Sequence, residues 1–237
     1  MGNEYLVDEN GLEYREEEAP PIRKIIAKRM TESKMSAPHF YLTIDVDASR
    51  LIQLREEMNE KEQRKYSFND FLIKGCAKVL SDHPELNASF IDEKIRYYRN
   101  VNISLAVAIE GGLITPTIRD CDKKTIREIS EESAVLVEKA RKKRLRPREW
   151  MGGTFTLTNL GMFGIEEFIA IINPPQSMIL AIGTIRKTPV VEGENIRIGN
   201  RMKMTLSCDH RVVDGAMGAT FLSELKSLIE SPESLIS

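Results

Sequence analysis

The sequence predicts an α/β sandwich built on a mixed β-sheet. Three observations carry that reading. Phe40, Leu42, Ile44 and Val46 alternate with polar or neutral neighbours, the two-residue period of a strand with one buried face. Residues 123–143 offer Ile126, Ile129, Val135, Leu136 and Ala140 to one side of a long charged helix. Helical and strand segments also follow one another without the strict strand–helix–strand repeat of an all-parallel sheet.

Residues 1–20 hold seven acids against one base, Arg15, and run into Ala19-Pro20-Pro21. Such a stretch buries little, so 1–21 is expected to be a mobile acidic leader or linker remnant. Residues 22–35 read as a helix stopped before Pro38, and 40–46 as the alternating strand. Residues 48–64 and 69–82 read as helices, with Ser67 or Asn69 able to cap the second. Residues 101–109 and 113–119 read as strands around Gly111-Gly112. After the helix at 123–143 come β-rich runs at 154–158, 167–172, 177–185 and 195–208, then a closing helix over about 215–230. No long linker splits 22–237, which is therefore read as one domain.

Composition narrows the function. The chain has 237 residues, 41% hydrophobic and 30% charged, with a formal net charge of −2. That is enough chain for a full core and no global cationic field for nucleic acid. Cys76, Cys121 and Cys208 are too few and too scattered for a disulfide framework or a four-cysteine zinc site, so a reduced intracellular compartment is expected. No apolar run reaches membrane-spanning length, and the acidic start is not a secretory signal. Residues 139–148 hold seven bases in ten. They read either as a solvated helix end or as a phosphate patch; no aromatics interleave, against single-stranded nucleic acid.

Three histidines are available for proton transfer near neutral pH. His83 lies in a loop and is expected to be exposed. His39 begins a strand and is expected to be structural. His210 stands where a strand ends and a helix begins, inside Asp209-His210-Arg211-Val212-Val213-Asp214-Gly215. Either this is a helix cap with an incidental histidine, or it is a polar site whose burial requires pairing. Asp214 can cap the helix that follows. A second segment, 152–161, reads as a hydroxyl-rich strand with a glycine turn, or as a donor facing developing negative charge. A third, 171–176, reads as a rigid turn. Zinc ligands are too few, and no Gly-x-Ser-x-Gly, Gly-x-Gly-x-x-Gly or Walker A pattern occurs.

From about residue 22 to 237 the chain resembles the catalytic domain of dihydrolipoamide acyltransferases, the core subunits of 2-oxoacid dehydrogenase complexes. The resemblance rests on an ordered series: IAKRM at 26–30, APHFYLTIDVD at 37–47, SFNDFLIKGCA at 67–77, AVAIEGGLITPTI at 106–118, GGTFTLTNLGMFGIEEFIAIINPPQSMILAIG at 152–183 and SCDHRVVDGA at 207–216. It implies a two-layer, chloramphenicol acetyltransferase-like sandwich that trimerises, with the active site between subunits and trimers assembling into a hollow core. It implies acyl transfer between dihydrolipoamide and coenzyme A, with His210 as general base, Thr158 as oxyanion donor and Asp214 as a structural residue paired with Arg29. Asn159, Gly183, Arg55 and Ser67 match coenzyme A contacts. Coenzyme A is then a substrate and no metal is needed. The lipoyl group rides on a separate domain absent from this chain. Partners are other copies of the chain, lipoyl domains, and the decarboxylase and dihydrolipoamide dehydrogenase components. The compartment is the cytoplasm of a prokaryote or the mitochondrial matrix.

The resemblance leaves the acyl group divided. Thr158 stands where most acetyl-transferring members have Ser and succinyl-transferring members often have Thr, whereas MFG and AIINPPQ resemble the acetyl-transferring branch. Branched-chain acyl transfer, a same-fold enzyme that acetylates a free small molecule with acetyl-coenzyme A, and a non-catalytic scaffold are the other readings. Leu235-Ile236 reads as an anchor between trimers or as a frayed end.

Overall fold

The computed structural model describes residues 5–236. The chain runs β1 (Leu6–Val7), β2 (Glu13–Tyr14), α1 (Pro21–Ser36), β3 (His39–Asp47), α2 (Ser49–Glu62) and α3 (Phe68–Asp82). It continues through β4 (Ala88–Ile91), β5 (Lys94–Tyr97), β6 (Ile103–Leu105), β7 (Val107–Ile109), β8 (Gly112–Ile114), β9 (Thr117–Ile118) and α4 (Ile126–Arg141). It ends with β10 (Phe155–Asn159), β11 (Met178–Ile182), β12 (Arg186–Glu192), β13 (Asn195–Asp209) and α5 (Gly215–Glu230). No helix among the described residues is long and apolar enough to cross a membrane.

The main sheet has seven strands and is mixed. β10 is parallel to both β6 and β11, while β13 is antiparallel to β11, β12 and β3. Strand alternation divides its two faces. Phe155 and Leu157 of β10, Leu180 of β11, and Met204, Leu206 and Cys208 of β13 enter one core with Leu51, Phe71, Leu72, Ile129, Phe221 and Leu225 of the helices. Phe155 meets Phe221 with ring centroids 5.4 Å apart. The alternate residues carry hydroxyls on the opposite face: Thr156 and Thr158 of β10, Thr205 and Ser207 of β13, and Thr43 of β3. Thr43 and Thr205 meet at 2.9 Å.

Several sequence expectations change here. Residues 167–172 are not a strand. Their backbone groups bond to distant side chains: Ser207 Oγ donates to Ala170 O at 2.7 Å, Ser33 Oγ to Ile172 O at 2.6 Å, and Ile172 N to His39 Nε2 at 3.2 Å. The stretch 101–109 divides into β6 and β7 because β7 leaves the main sheet to pair with β8. Helix α4 starts at Ile126, where Thr125 and Glu128 form a reciprocal cap. Val135 is 51% exposed and does not join its buried face. Ser67, with Asp70, caps α3, and Asn69 does not. Strands β4, β5 and β12 were not anticipated. Within the acidic leader β1 and β2 pair, Asp8 closing their turn onto Asn10 N and Leu12 N at 2.9 Å each.

Candidate active site

A one-residue irregularity in the sheet builds the first half of the site. Ile182 of β11 faces Met204, and Arg186 of β12 faces Arg201, so residues 183–185 stand opposite only 202–203 of β13. This bulge bends the edge and frees backbone groups, a common device beside binding sites. Thr184 N uses the bulge to bond Ile165 O at 2.7 Å. Gly183 is required here: a Cβ would lie 1.9 Å from Glu166 O.

A cleft of about 380 Å³ opens at this bulge, lined by Ser67, Phe68, Asn69, Asn159, Gly183 and Met202 among others. Three anticipated coenzyme A contacts, Ser67, Asn159 and Gly183, thus meet in one place. Asn159 is held on both ends of its amide, with Nδ2 donating to Asn69 Oδ1 and Oδ1 accepting from Gly161 N, each at 2.8 Å. Arg55 stands one layer behind, its guanidinium 4.4 Å from the Phe68 ring centroid and its Nη1 donating to Tyr66 O at 3.1 Å. Its buried Nε has no hydrogen-bond partner, and no carboxylate pairs with it among the described residues. The basic run 139–148 lines none of this cleft. Its lysines are used locally, Lys139 with Glu149, Lys142 with Glu138 and Lys143 with Glu110.

Thr158 is half-buried on the hydroxyl-bearing face, one residue before Asn159, and its hydroxyl makes no hydrogen bond among the described residues. His210 lies beyond the far end of β13, exposed, with its N bonded to Pro38 O at 3.0 Å. Its ring rests against Phe40, centroids 4.8 Å apart. The register sets the separation of the two. Thr158 faces Ala181, Ala181 faces Thr205, and His210 is five residues further along the chain, one past the end of β13. Two strand spacings across and five residues along give about 19 Å. One chain therefore does not bring His210 and Thr158 to a common substrate atom.

Asp214 caps α5, its Oδ1 accepting from Met217 N at 2.9 Å. The expected Arg29–Asp214 ion pair does not form among the described residues. Arg29 Nη2 donates instead to Asn173 Oδ1 at 3.1 Å and to Pro174 O at 2.6 Å. The 171–176 turn, read as a plain connector, offers these acceptors where α1 passes, whereas the Asp214 carboxylate is turned onto its own helix. His39 is structural: Nδ1 bonds Ala37 O at 2.8 Å and Nε2 accepts from Ile172 N, which places its proton on Nδ1. His83 is half-buried rather than exposed, with Nε2 2.8 Å from Glu224 Oε1. Sequence reasoning missed the Asp209–Arg211 pair beside His210, although both residues flank it in the chain. Arg211 Nε and Nη2 grip the Asp209 carboxylate at 3.0 and 2.7 Å.

The comparisons with known proteins agree with this architecture. Residues 12–237 match the family model described as 2-oxoacid dehydrogenases acyltransferase (catalytic domain), a match that begins within the acidic leader. The chain is 51% identical over 231 residues to the dihydrolipoyllysine-residue acetyltransferase component of the pyruvate dehydrogenase complex of Rickettsia bellii, covering 96% of this chain and 55% of that protein. It is 44% identical over 222 residues to a mitochondrial component of the same name from Arabidopsis thaliana, covering 91% of this chain and 41% of that protein. The chain thus spans about half the length of the curated relatives it matches. Among solved structures, a probable dihydrolipoamide acetyltransferase from Listeria monocytogenes superposes with TM-score 0.87 at 35% identity, covering 92% of this chain and 95% of that one. The Azotobacter vinelandii dihydrolipoamide acetyltransferase, studied for the catalytic roles of a serine, a histidine and an asparagine, superposes with TM-score 0.88 at 30% identity, covering 94% and 95%. Chloramphenicol acetyltransferase, at 11% identity and TM-score 0.51, shares the fold alone. The chain belongs to the 2-oxoacid dehydrogenase acyltransferase family, as its catalytic domain.

Proposed function

We propose that this domain transfers an acetyl group between dihydrolipoamide and coenzyme A. The observation that carries the reading is the cleft joining Ser67, Asn159 and Gly183, which opens one residue from the unbonded Thr158 hydroxyl. Arg55, a cation without a carboxylate partner among the described residues, supplies charge toward the phosphates of coenzyme A. Acetyl is favoured over succinyl and branched-chain groups because the named relatives are acetyltransferases.

The chemistry needs a base and an oxyanion donor. A thiol with a pKa of about 8.5 is mostly protonated at pH 7. A ring nitrogen of neutral His210 takes that proton as the sulfur of coenzyme A attacks the thioester carbon. A new C–S bond forms and the carbonyl π pair moves onto oxygen. Thr158 donates a hydrogen bond to this oxyanion. Collapse breaks the C–S bond to the dihydrolipoyl sulfur, which recovers the proton from the imidazolium. The base contributes about 10²–10⁴-fold and the oxyanion donor about 10²–10³-fold.

The separation of about 19 Å within one chain supports a site completed by a second copy, His210 from one and Thr158 from its neighbour, in a trimer. Thr158 stands 52 residues before His210 and Asp214 four after, the offsets of the named serine and asparagine from the histidine in the Azotobacter enzyme. Asp214 acts structurally here, fixing the start of α5 just after the His210 turn. Membership of the pyruvate dehydrogenase complex and assembly into a cubic core are supported by the relatives' names, whereas encounters with lipoyl domains, decarboxylase and dihydrolipoamide dehydrogenase rest on the family resemblance. The relatives include bacterial and mitochondrial proteins, which supports a bacterial cytoplasmic or mitochondrial setting. The test is turnover of dihydrolipoamide with acetyl-, isobutyryl- and succinyl-coenzyme A. Acetyl transfer abolished by His210→Ala is expected. No turnover from assembled protein, or equal turnover in the variant, overturns the reading.

A further inference from the structure

No carboxylate touches the His210 ring among the described residues, because Asp214 is spent on the helix cap. The orientation of the base must come from elsewhere, and the structure holds a device for it. Asp209 is 4% exposed. Its carboxylate takes Arg211 N at 3.1 Å, Arg211 Nε at 3.0 Å and Arg211 Nη2 at 2.7 Å. The Arg211 guanidinium lies 4.5 Å from the Phe90 ring centroid. The far side closes through Ser177, whose O accepts from Asp209 N at 2.8 Å and whose hydroxyl donates to Ala88 O at 2.7 Å on the Phe90 strand. Asp209 O also accepts from Val212 N and Val213 N at 3.0 Å each. The residues before and after His210 are thus bound to each other and, together, to β4.

We propose that Asp209, Arg211 and Phe90 are positioning residues, a clamp that fixes the His210 turn in place of a direct carboxylate partner. The proposal rests on the acyl-transfer reading above. A planar fork satisfies two carboxylate oxygens and stacks on a ring; an ammonium group does neither as well.

The test measures steady-state acetyl transfer by the full, assembled chain, with wild type and His210→Ala as controls. Arg211→Ala and Asp209→Asn are expected to lower kcat about 10–100-fold, the cost of displacing a reacting group by a fraction of an ångström to an ångström. KM for acetyl-coenzyme A and for dihydrolipoamide should stay within about twofold, since the clamp touches neither substrate. Millimolar guanidinium should restore part of the Arg211→Ala kcat, and equimolar ammonium should not. Phe90→Leu keeps an apolar side chain and Arg211→Lys keeps the charge, so these milder variants decide the matter if the harsher ones fail to assemble; each should lose several-fold in kcat alone. Wild-type kcat in these variants, a loss carried by KM, or no guanidinium rescue overturns the clamp. An inactive wild type overturns the acyl-transfer reading instead, so the two failures are distinguishable.

Discussion

Replacing Gly183 by alanine should damage the cleft in a way the coordinates quantify. The added Cβ would lie 1.9 Å from Glu166 O, 2.8 Å from Glu166 C and 3.3 Å from Lys203 O, where real Cβ contacts stay beyond 3.0 Å. All three neighbours are backbone, so no flexible side chain can swing aside. Either the 165–167 segment or the bulge must move by about 1 Å or more. Moving the segment strains the Thr184 N–Ile165 O bond of 2.7 Å, and moving the bulge strains the Gly183 N–Lys203 O bond of 3.0 Å. Overpacking of this kind costs about 1–3 kcal/mol, which in a domain of this size is a fall in Tm of about 2–12 °C. Because the bulge lines the cleft beside Asn159, KM for coenzyme A should rise at least several-fold. Thermal melts at equal protomer concentration and coenzyme A titrations read both effects. A variant with wild-type Tm and wild-type KM would refute the close-approach reasoning.

Two further outcomes follow from burial and charge. His83 lies 2.8 Å from Glu224 and 3.3 Å from Glu85, and its pKa is raised, chiefly by the Glu224 hydrogen bond. A raised native pKa stabilises the fold below the ordinary histidine value of about 6.5 and ceases to do so as pH rises through the native pKa. His83→Gln should therefore lose up to about 1 kcal/mol at pH 5.5 and little at pH 9 in urea melts; an equal loss at both pH values contradicts the pairing. Burial pushes the thiols of Cys121 and Cys208 up to about 12 and raises that of Cys76 as well. Native protein at pH 8 should leave a thiol-specific reagent nearly unreacted, with all three thiols titrating on unfolding; a thiol reacting like free cysteine in the native protein argues against this core.

Legibility in the sequence followed the range of the interactions. The β3 alternation was readable because one side of that strand meets the core through Phe40, Leu42, Ile44 and Val46. His210 and Thr158 stood out because their neighbours carry enough local chemistry to be recognised. The bulge at 183–185 was hidden, since it exists only in the register between β11, β12 and β13. Residues 167–172 looked like a strand by apolar content, but Ser33, His39 and Ser207, all far along the chain, take their backbone groups. The resemblance pairs Arg29 with Asp214, but a side-chain amide and a proline carbonyl take the Arg29 guanidinium instead. Asp209 and Arg211 read as part of a polar cluster that needs pairing, but the sequence does not say that they pair with each other across His210.

On the proposed mechanism His210 and Thr158 work together only across two copies of the chain. Mixing tests it directly. His210→Ala and Thr158→Ala proteins are each unfolded, combined in equal amounts and reassembled. Alone, the first should be inactive and the second reduced about 10²–10³-fold. In randomly mixed rings, about one interface in four joins an intact His210 to an intact Thr158, so the mixture should recover roughly a quarter of wild-type turnover. A mixture no more active than the average of its two parents would show that one chain carries the whole site and would contradict a site shared between copies.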